Sequence, residues 1–409
     1  MIEYLRRHTG FILYVGAKSV GALTTLCVAG LVSRSLGPGP FGFLMNTSVI
    51  AMVLAAIVDG NVMARGISRW QSDSSNFAGW LVHAVAFRLA AGLLCLIVLL
   101  LICLMAKWTD YLVLSAGWCL FLILQPFRLL EIRLIASEDF NLLSRATLWS
   151  CGGILVLGVI LFAIGWTRLV WVSLCLLVLP VMGSSPYLIF TRKALPGKPG
   201  ALQEELLKRE AGITFSFGIT QGMSMLLDTL PYLVLPRFHS YVVLGWYAVV
   251  SKLVQTYTQG IALLLPYALT KLNRARQAKM LKFSFYALLL GAFSLLAFTL
   301  FGTQAIVLIN GSAFAKAGTL ILPLTGLILV IPLGQLCMGM AGLAHKPRLP
   351  FLTVSLTFAL LGILLYLFRP ESAHGFLTAY SIAILATTLW FCLSLCGFFK
   401  RGESRRSSP

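Results

Sequence analysis

An all-α polytopic membrane protein with about twelve transmembrane helices is the fold class this sequence predicts, and three observations carry that reading. First, of 409 residues 59% are hydrophobic and only 11% charged, with a mean hydropathy of +0.90. A soluble domain has about a quarter of its residues charged, so too little polar surface is available here to cover a globule in water. Second, apolar runs recur along the whole chain at roughly the 20-residue length that spans a bilayer. Third, the net charge of +19 is gathered into short basic clusters between those runs. That distribution follows the positive-inside rule and argues against nucleic acid as a partner.

The spans are expected near 11–33, 42–64, 78–105, 111–132, 146–166, 169–190, 212–235, 241–268, 282–301, 315–340, 349–368 and 376–399. Turns such as Leu36-Gly37-Pro38-Gly39-Pro40 and Pro236-Arg237-Phe238-His239-Ser240 separate them. The segment after Met1 has no small-residue cleavage site, so the first apolar run reads as a span and not as a cleaved signal. With the N-terminus in the cytoplasm, 22 of the 32 Lys and Arg fall on the cytoplasmic side, six fall opposite, and four lie within spans. This bias places both termini in the cytoplasm of a bacterial inner membrane and requires an even number of spans.

The chain then divides into an N-terminal six-helix half (1–190), a basic linker (191–211), a C-terminal six-helix half (212–399) and a basic tail (400–409). Within the linker, Glu204 with Lys208 and Glu205 with Arg209 are i,i+4 pairs, and Leu202 and Leu206 share a face. This pattern predicts a short amphipathic helix, lying on the cytoplasmic membrane surface or solvated as a charged linker. Shifting one half by 203 residues lays Arg34 over Arg237, Gly42 over Gly245, and Phe41-Gly42-Phe43 over Leu244-Gly245-Trp246. Two repeated halves of six spans are a known transporter plan.

Charges inside spans are the best site candidates, because a charge at the bilayer centre costs on the order of 3 kcal/mol. Arg88 falls mid-membrane in the third span, as a binding group or a structural ion pair. Lys18 and Asp59 are equidistant from the turn between the first two spans, where they can pair. Asp228 is the one acid well inside the second half, and Lys252 lies at comparable depth on the next span. The two can form a salt bridge, or Asp228 can take up a proton when unpaired. Arg128 follows Gln125 and the kink expected at Pro126, close enough to the cytoplasmic side to snorkel, with Glu131 at that edge. Lys18, Arg88, Arg128 and Lys252 against Asp59 and Asp228 make the interior cationic, which suits an anionic substrate such as a pyrophosphate headgroup.

Other chemistry lacks its signature. No phosphate-binding G-x-x-x-x-G-K-[ST] loop, Gly-x-Ser-x-Gly elbow or H-E-x-x-H pair occurs, and no cofactor or metal is implied. Asn310-Gly311-Ser312 matches a glycosylation sequon and reads as a turn. The nine cysteines all fall in proposed spans as small packing residues. The noncytoplasmic loops are short, the longest being about Gly302–Phe314. A membrane glycosyltransferase or polymerase, which usually carries a large acidic external loop, is therefore the weaker alternative.

Three segments resemble the polysaccharide (Wzx, O-antigen type) flippases of the multidrug/oligosaccharidyl-lipid/polysaccharide exporter superfamily. Leu31-Val32-Ser33-Arg34-Ser35-Leu36-Gly37-Pro38-Gly39-Pro40-Phe41-Gly42 is similar to the family's turn after the first span. Asp228 followed by Leu244-Gly245-Trp246-Tyr247-Ala248-Val249-Val250-Ser251-Lys252-Leu253 is similar to its seventh and eighth spans. Gly311-Ser312-Ala313-Phe314-Ala315-Lys316-Ala317 is similar to a Gly-x-x-Phe-x-x-Ala segment before the tenth. The second span departs from the common pattern at Val58-Asp59-Gly60-Asn61. The resemblance implies two six-helix lobes around a central cavity, alternating access, and export of an undecaprenyl-pyrophosphate-linked oligosaccharide to the periplasmic leaflet. Arg88, Lys18, Lys252 and Arg128 would hold the substrate, and Asp228 and Asp59 would serve ion coupling or pairing. Expected partners are the lipid-linked anionic oligosaccharide, membrane lipids, a coupling proton or sodium ion, and a polysaccharide polymerase with its chain-length regulator. A drug/cation antiporter of the same superfamily is the first rival, but its cavity should be rich in acids.

Overall fold

The computed structural model describes residues 2–59, 77–105, 140–163, 204–238, 240–343 and 348–404. The spans expected near 111–132 and 169–190, Arg128, Glu131 and most of the 191–211 linker lie outside these residues. The described chain is helical almost throughout: α1 (Ile2–Leu36), α2 (Pro38–Asp59), α3 (Phe77–Met105), α4 (Phe140–Ala163), α5 (Glu204–Phe238), α6 (Tyr241–Asn310), two short 3-10 segments (Ser312–Leu320 and Leu322–Leu324), α7 (Thr325–Leu343), α8 (Arg348–Phe368) and α9 (Ala373–Ser404). In hydrocarbon every backbone polar group must bond within its own segment, and helices meet that demand. Among the described residues, five helical stretches are long and apolar enough to cross a membrane: Ile12–Leu36, Phe140–Ile160, Lys282–Asn310, Arg348–Phe368 and Ala373–Leu395. The pair Ser312–Leu320 and Leu322–Met338, bent by 43°, makes a sixth. The all-α polytopic expectation holds.

Several elements differ in detail from the sequence reading. The first turn is a single residue, Gly37, at φ 73. Pro38 opens α2, where a missing N–H costs nothing and φ is already helical. The charged segment from Glu204 is not a separate helix. It is continuous with the apolar part of α5, which carries Pro231 and Pro236 near its end. The tenth span begins as 3-10 helix after Gly311 (φ 91), and Pro323 lies in the second 3-10 segment. Small residues at Ala313, Ala315, Ala317 and Gly318 allow this tighter winding.

Helix α6 contains two spans. The rings of Tyr257 and Phe298 lie 5.8 Å apart. A straight helix would hold residues this far apart in sequence about 60 Å from each other. The backbone therefore reverses between them, and the basic stretch Lys271–Lys282 lies between the two arms. The eighth and ninth spans expected from the sequence thus lie side by side as two antiparallel arms.

The chain forms two compact units, Met1–Leu36 with Phe43–Thr229, and Gly37–Gly42 with Leu230–Pro409. Both α2 and α5 thus start in one unit and end in the other. In the first unit α1 packs along α4. Tyr14 meets Phe140 at 5.6 Å, a Cβ on Gly21 would meet Cys151 Sγ at 3.1 Å, and one on Gly158 would meet Val28 at 2.9 Å. These contacts advance together along both helices, so α1 and α4 are parallel, as a first and a fifth span must be. In the second unit Gly291 and Gly302 meet Leu329 and Ile321, which sets the second arm of α6 antiparallel to the tenth span. Gly326 meets Ser381 and Gly334 meets Thr388, so α7 and α9 run parallel. A cluster of Leu333, Leu336, Cys337, Met340, Phe391, Cys392 and Leu395 fills one end of this unit.

Buried hydroxyls bond mostly to their own helices, as Thr147 does to the Leu143 carbonyl (2.8 Å) and Ser294 to that of Leu290 (2.8 Å). Other polar contacts cross between helices, among them Ser284 Oγ with Cys392 Sγ at 3.5 Å. Thr357 and Thr387 share a hydrogen bond of 2.9 Å, and the Leu327 N–H donates to Ser381 Oγ at 2.8 Å. The Leu327 bond satisfies one of the N–H groups left open at the start of α7. Large apolar side chains such as Phe293, Leu308, Phe368 and Leu393 are exposed, as a lipid-facing surface requires.

Candidate functional site

Three parts of the resembling segments, Gly37–Gly42, Leu244–Leu253 and Gly311–Ala317, are far apart in sequence and meet in one place, within the second unit. The starts of α2 and α6 touch backbone to backbone. A Cβ built on Gly42 would fall on the Tyr241 carbonyl oxygen and 2.6 Å from the Gly245 amide nitrogen. A Cβ on Gly245 would fall on the Pro38 carbonyl oxygen. At the offset of 203 residues Pro38 corresponds to Tyr241 and Gly42 to Gly245. Each glycine therefore rests on the first residue of the other's helix, the reciprocal contact that a two-fold relation between repeats produces. Small residues permit such an approach because no side chain separates the helices.

The third segment closes over this contact. Phe314, fully buried at 0% exposure, packs edge-to-face on Phe41 with ring centroids 6.2 Å apart. Lys316 Nζ sits 5.9 Å from the Trp246 ring, and Tyr232 meets Tyr247 at 5.1 Å, also edge-to-face.

The charges expected within spans are distributed differently. In the first unit, Lys18 is half-buried on α1 with its Nζ 5.5 Å from the Tyr14 ring, on the face turned to α4. Arg88 on α3 is only 2% exposed, and its Nη1 donates to the Ala84 carbonyl at 3.0 Å. Asp228 on α5 is exposed, between the buried Leu227 and Thr229. In the second unit, Lys252 is half-buried on the first arm of α6. Asp59 ends α2, and its side chain, like all of Arg128, falls outside what is described. The proposed Lys18–Asp59 pair therefore lies outside it as well.

Two polar stripes escaped the sequence reading, which attended to charge alone. Gln221, Ser224 and Asp228 on α5, and Lys252, Gln255 and Gln259 on α6, share the spacing i, i+3, i+7 and so each occupy one helical face. Asp228, Gln255 and Gln259 are exposed. An exposed amide within a span is costly against lipid, which makes a polar surrounding the favourable one. The spacing alone could have revealed both stripes. Among the described residues no His, Cys, Asp and Glu cluster suited to a metal occurs.

No known protein-family profile and no curated protein matches the sequence. Solved structures do match in fold. One is an inward-facing multidrug resistance MATE family transporter of the MOP superfamily, at TM-score 0.71 and 14% identity, covering 98% of this chain and 100% of that one. A second is the eukaryotic MATE transporter AtDTX14, at TM-score 0.64 and 12% identity, covering 98% and 99%. A third is a MOP superfamily transporter from Pyrococcus furiosus, described by the reverse polarity of its binding pocket, at TM-score 0.56 and 14% identity, covering 96% of each chain. The protein therefore has a polytopic, all-α fold similar to that of the two-lobe MATE transporters.

Proposed function

We propose that this chain is a flippase that moves an undecaprenyl-pyrophosphate-linked oligosaccharide from the cytoplasmic to the periplasmic leaflet by alternating access, with no catalytic chemistry of its own. The observation that carries this reading is the surplus of base within the membrane-spanning helices, where Lys18, Arg88 and Lys252 outnumber the acids. Such a surplus attracts a pyrophosphate and repels a cationic drug. The Pyrococcus furiosus transporter of similar fold, whose pocket of reverse polarity suggests a different function, is a precedent for a pocket of altered charge. The exposed Gln255 and Gln259 beyond Lys252 offer donors and acceptors to sugar hydroxyls. Arg128 would assist from the cytoplasmic side, and a polymerase with its chain-length regulator would receive the exported glycan.

The reading is tested by reconstitution. Proteoliposomes holding this protein should transfer a fluorescent lipid-linked oligosaccharide between leaflets, and transfer no faster than in protein-free vesicles would refute it. One observation favours a second reading, a drug/cation antiporter. Asp228 is an exposed acid within a span, where a cation could bind. Export of ethidium by the same vesicles, without glycan-lipid transfer, would establish that alternative.

Orientation in the bacterial inner membrane is tested separately. Reporter fusions after Arg237 and after Arg401 are expected to report opposite sides, the first periplasmic and the second cytoplasmic. Identical signals would refute the twelve-span topology.

Asp228 is proposed to couple transport to a proton or sodium ion. Its exposure gives an ion the access that a closed salt bridge would deny. Asp228→Asn is expected to slow turnover by about ten-fold or more, equivalent to roughly 1.4 kcal/mol. The block should persist in Asp228→Asn/Lys252→Met. Near-complete rescue in the double variant would show a salt bridge instead, because removing both charges leaves neither unpaired.

A further inference from the structure

We propose that the end of the second unit where α8 begins binds the headgroup of an anionic phospholipid, held by Lys282 and Arg348, each the first residue of an apolar span. The inference is independent of what the protein transports.

Packing brings the two bases to one end of this unit. Phe283 follows Lys282 on the second arm of α6, Leu349 follows Arg348 on α8, and both pack against the cluster around Cys337 and Cys392. Ser284 Oγ adds a contact to Cys392 Sγ at 3.5 Å. Both bases are exposed. Each has two exposed large side chains three and four positions on: Phe285 and Tyr286 (62% and 50%) after Lys282, Phe351 and Leu352 (42% and 45%) after Arg348. Residues at i, i+3 and i+4 share a helical face, and a side chain leans toward the N-terminal end of its helix. Each base therefore reaches outward from the span while the pair behind it faces the hydrocarbon. The Lys282 ammonium lies 5.8 Å from the Tyr286 ring, which in turn meets the Phe285 ring at 6.2 Å. This contact holds the charge over the aromatic face.

The occupant must carry negative charge. No Asp or Glu lies between Asp228 and Glu371, whereas Lys271, Arg274, Arg276 and Lys279 precede Lys282, and Lys346 precedes Arg348. Glu371 follows the far end of α8, about 30 Å from Arg348 at 1.5 Å per residue. Glu403 stands in the tail among Lys400, Arg401, Arg405 and Arg406. The occupant must also be apolar beneath its charge. Below Lys282 the exposed face continues along α6 through Leu289, Phe293 and Leu296. A soluble anion would meet only the first demand, and an acidic protein would leave the lipid-facing pairs uncovered. An anionic phospholipid meets both. Its phosphate accepts hydrogen bonds from the ammonium and, in bidentate fashion, from the guanidinium, while its acyl chains lie along the apolar face.

Native mass spectrometry of the full chain in detergent, titrated with phosphatidylglycerol or phosphatidylcholine, tests the site. A base close to an anionic headgroup strengthens binding about five-fold, so the two together should favour phosphatidylglycerol by more than about ten-fold over phosphatidylcholine. Lys282→Gln/Arg348→Gln should weaken phosphatidylglycerol binding roughly twenty-five-fold and leave phosphatidylcholine binding unchanged. Arg237→Gln/Lys316→Gln removes the same charge from the opposite end of the unit, also at exposed positions, and should leave both affinities unaltered. No preference for phosphatidylglycerol in the wild type, or an equal loss in the two double variants, would overturn the site. Displacement of the lipid by an equal concentration of inorganic phosphate would overturn it too, since the anion alone would then suffice. Should the first double variant not fold, Lys282→Gln alone must still show the loss of about five-fold, and unchanged binding would refute the proposal.

Discussion

Gly291→Val is expected to remove most of the folded protein, while Gly362→Val, the same chemical change on another span, leaves it intact. Both glycines occupy helices apolar enough to cross the membrane, so neither hydropathy nor helix propensity separates them. Their surroundings do. A Cβ on Gly291 would fall on the Leu329 carbonyl, where the second arm of α6 packs against α7. A backbone carbonyl cannot rotate away as a side chain can. The helices must part, and overpacking of this kind costs about 3 kcal/mol. Gly362, on the exposed face of α8, has no atom within 4 Å of the same position, and a Cβ there meets open space. Fluorescence-detected gel filtration of detergent extracts, followed by thermal challenge, reads the difference directly. Equal abundance and equal melting of the two variants would show that the close α6–α7 approach is not what holds this unit together.

The fold class was legible because lipid imposes a uniform demand. A chain this apolar has to form helices of fixed minimum length, and charge then sets their direction. What was hidden lies in local geometry. Within α6 the stretch Thr270-Lys271-Leu272-Asn273-Arg274-Ala275 contains neither glycine nor proline and reads as good helix, so charge was the clearest sign that two spans meet there. The 3-10 start of the tenth span was masked by the opposite circumstance: Gly311 and Pro323 were visible, but small apolar residues between them fit a regular helix equally well. The continuity of α5 through Glu204 was missed because charged pairs and an apolar run look like two elements when read by composition.

The site was legible in pieces. Each of the three segments could be singled out, and the 203-residue offset pairs Gly42 with Gly245 in the sequence itself. That the paired glycines touch, with Phe314 beside them, could not be read, because periodicity gives each helix a face and never says which faces meet. Arg88 shows the same limit. Counting residues into the third span gave its depth. Its rotation was invisible, since α3 is apolar on every side and offers no stripe by which to orient it.

Arg88 also gives the sharpest separation of a structural from a substrate role. Among the described residues it is the largest of the side chains with almost no exposed surface, at 2%, so in this conformation it presents nothing to a bulky glycan. A role with substrate requires that the transport cycle uncover it. Arg88→Ala therefore confounds two effects. It removes a charge, and it leaves a cavity costing about 3 kcal/mol, so abundance is expected to fall with transport. Arg88→Met keeps most of the volume in an unbranched, adaptable chain and removes only the charge. If the guanidinium grips the pyrophosphate during the cycle, Arg88→Met should fold at near-normal abundance. Its oligosaccharide-lipid transfer should then fall about a hundred-fold, the loss of one charged hydrogen-bonding contact of roughly 2.7 kcal/mol. Lysine at this position should recover part of that activity, since it restores the charge but not the bidentate geometry. Arg88→Met with wild-type transfer would assign the arginine to packing alone. The cationic binding role would then rest on Lys18 and Lys252.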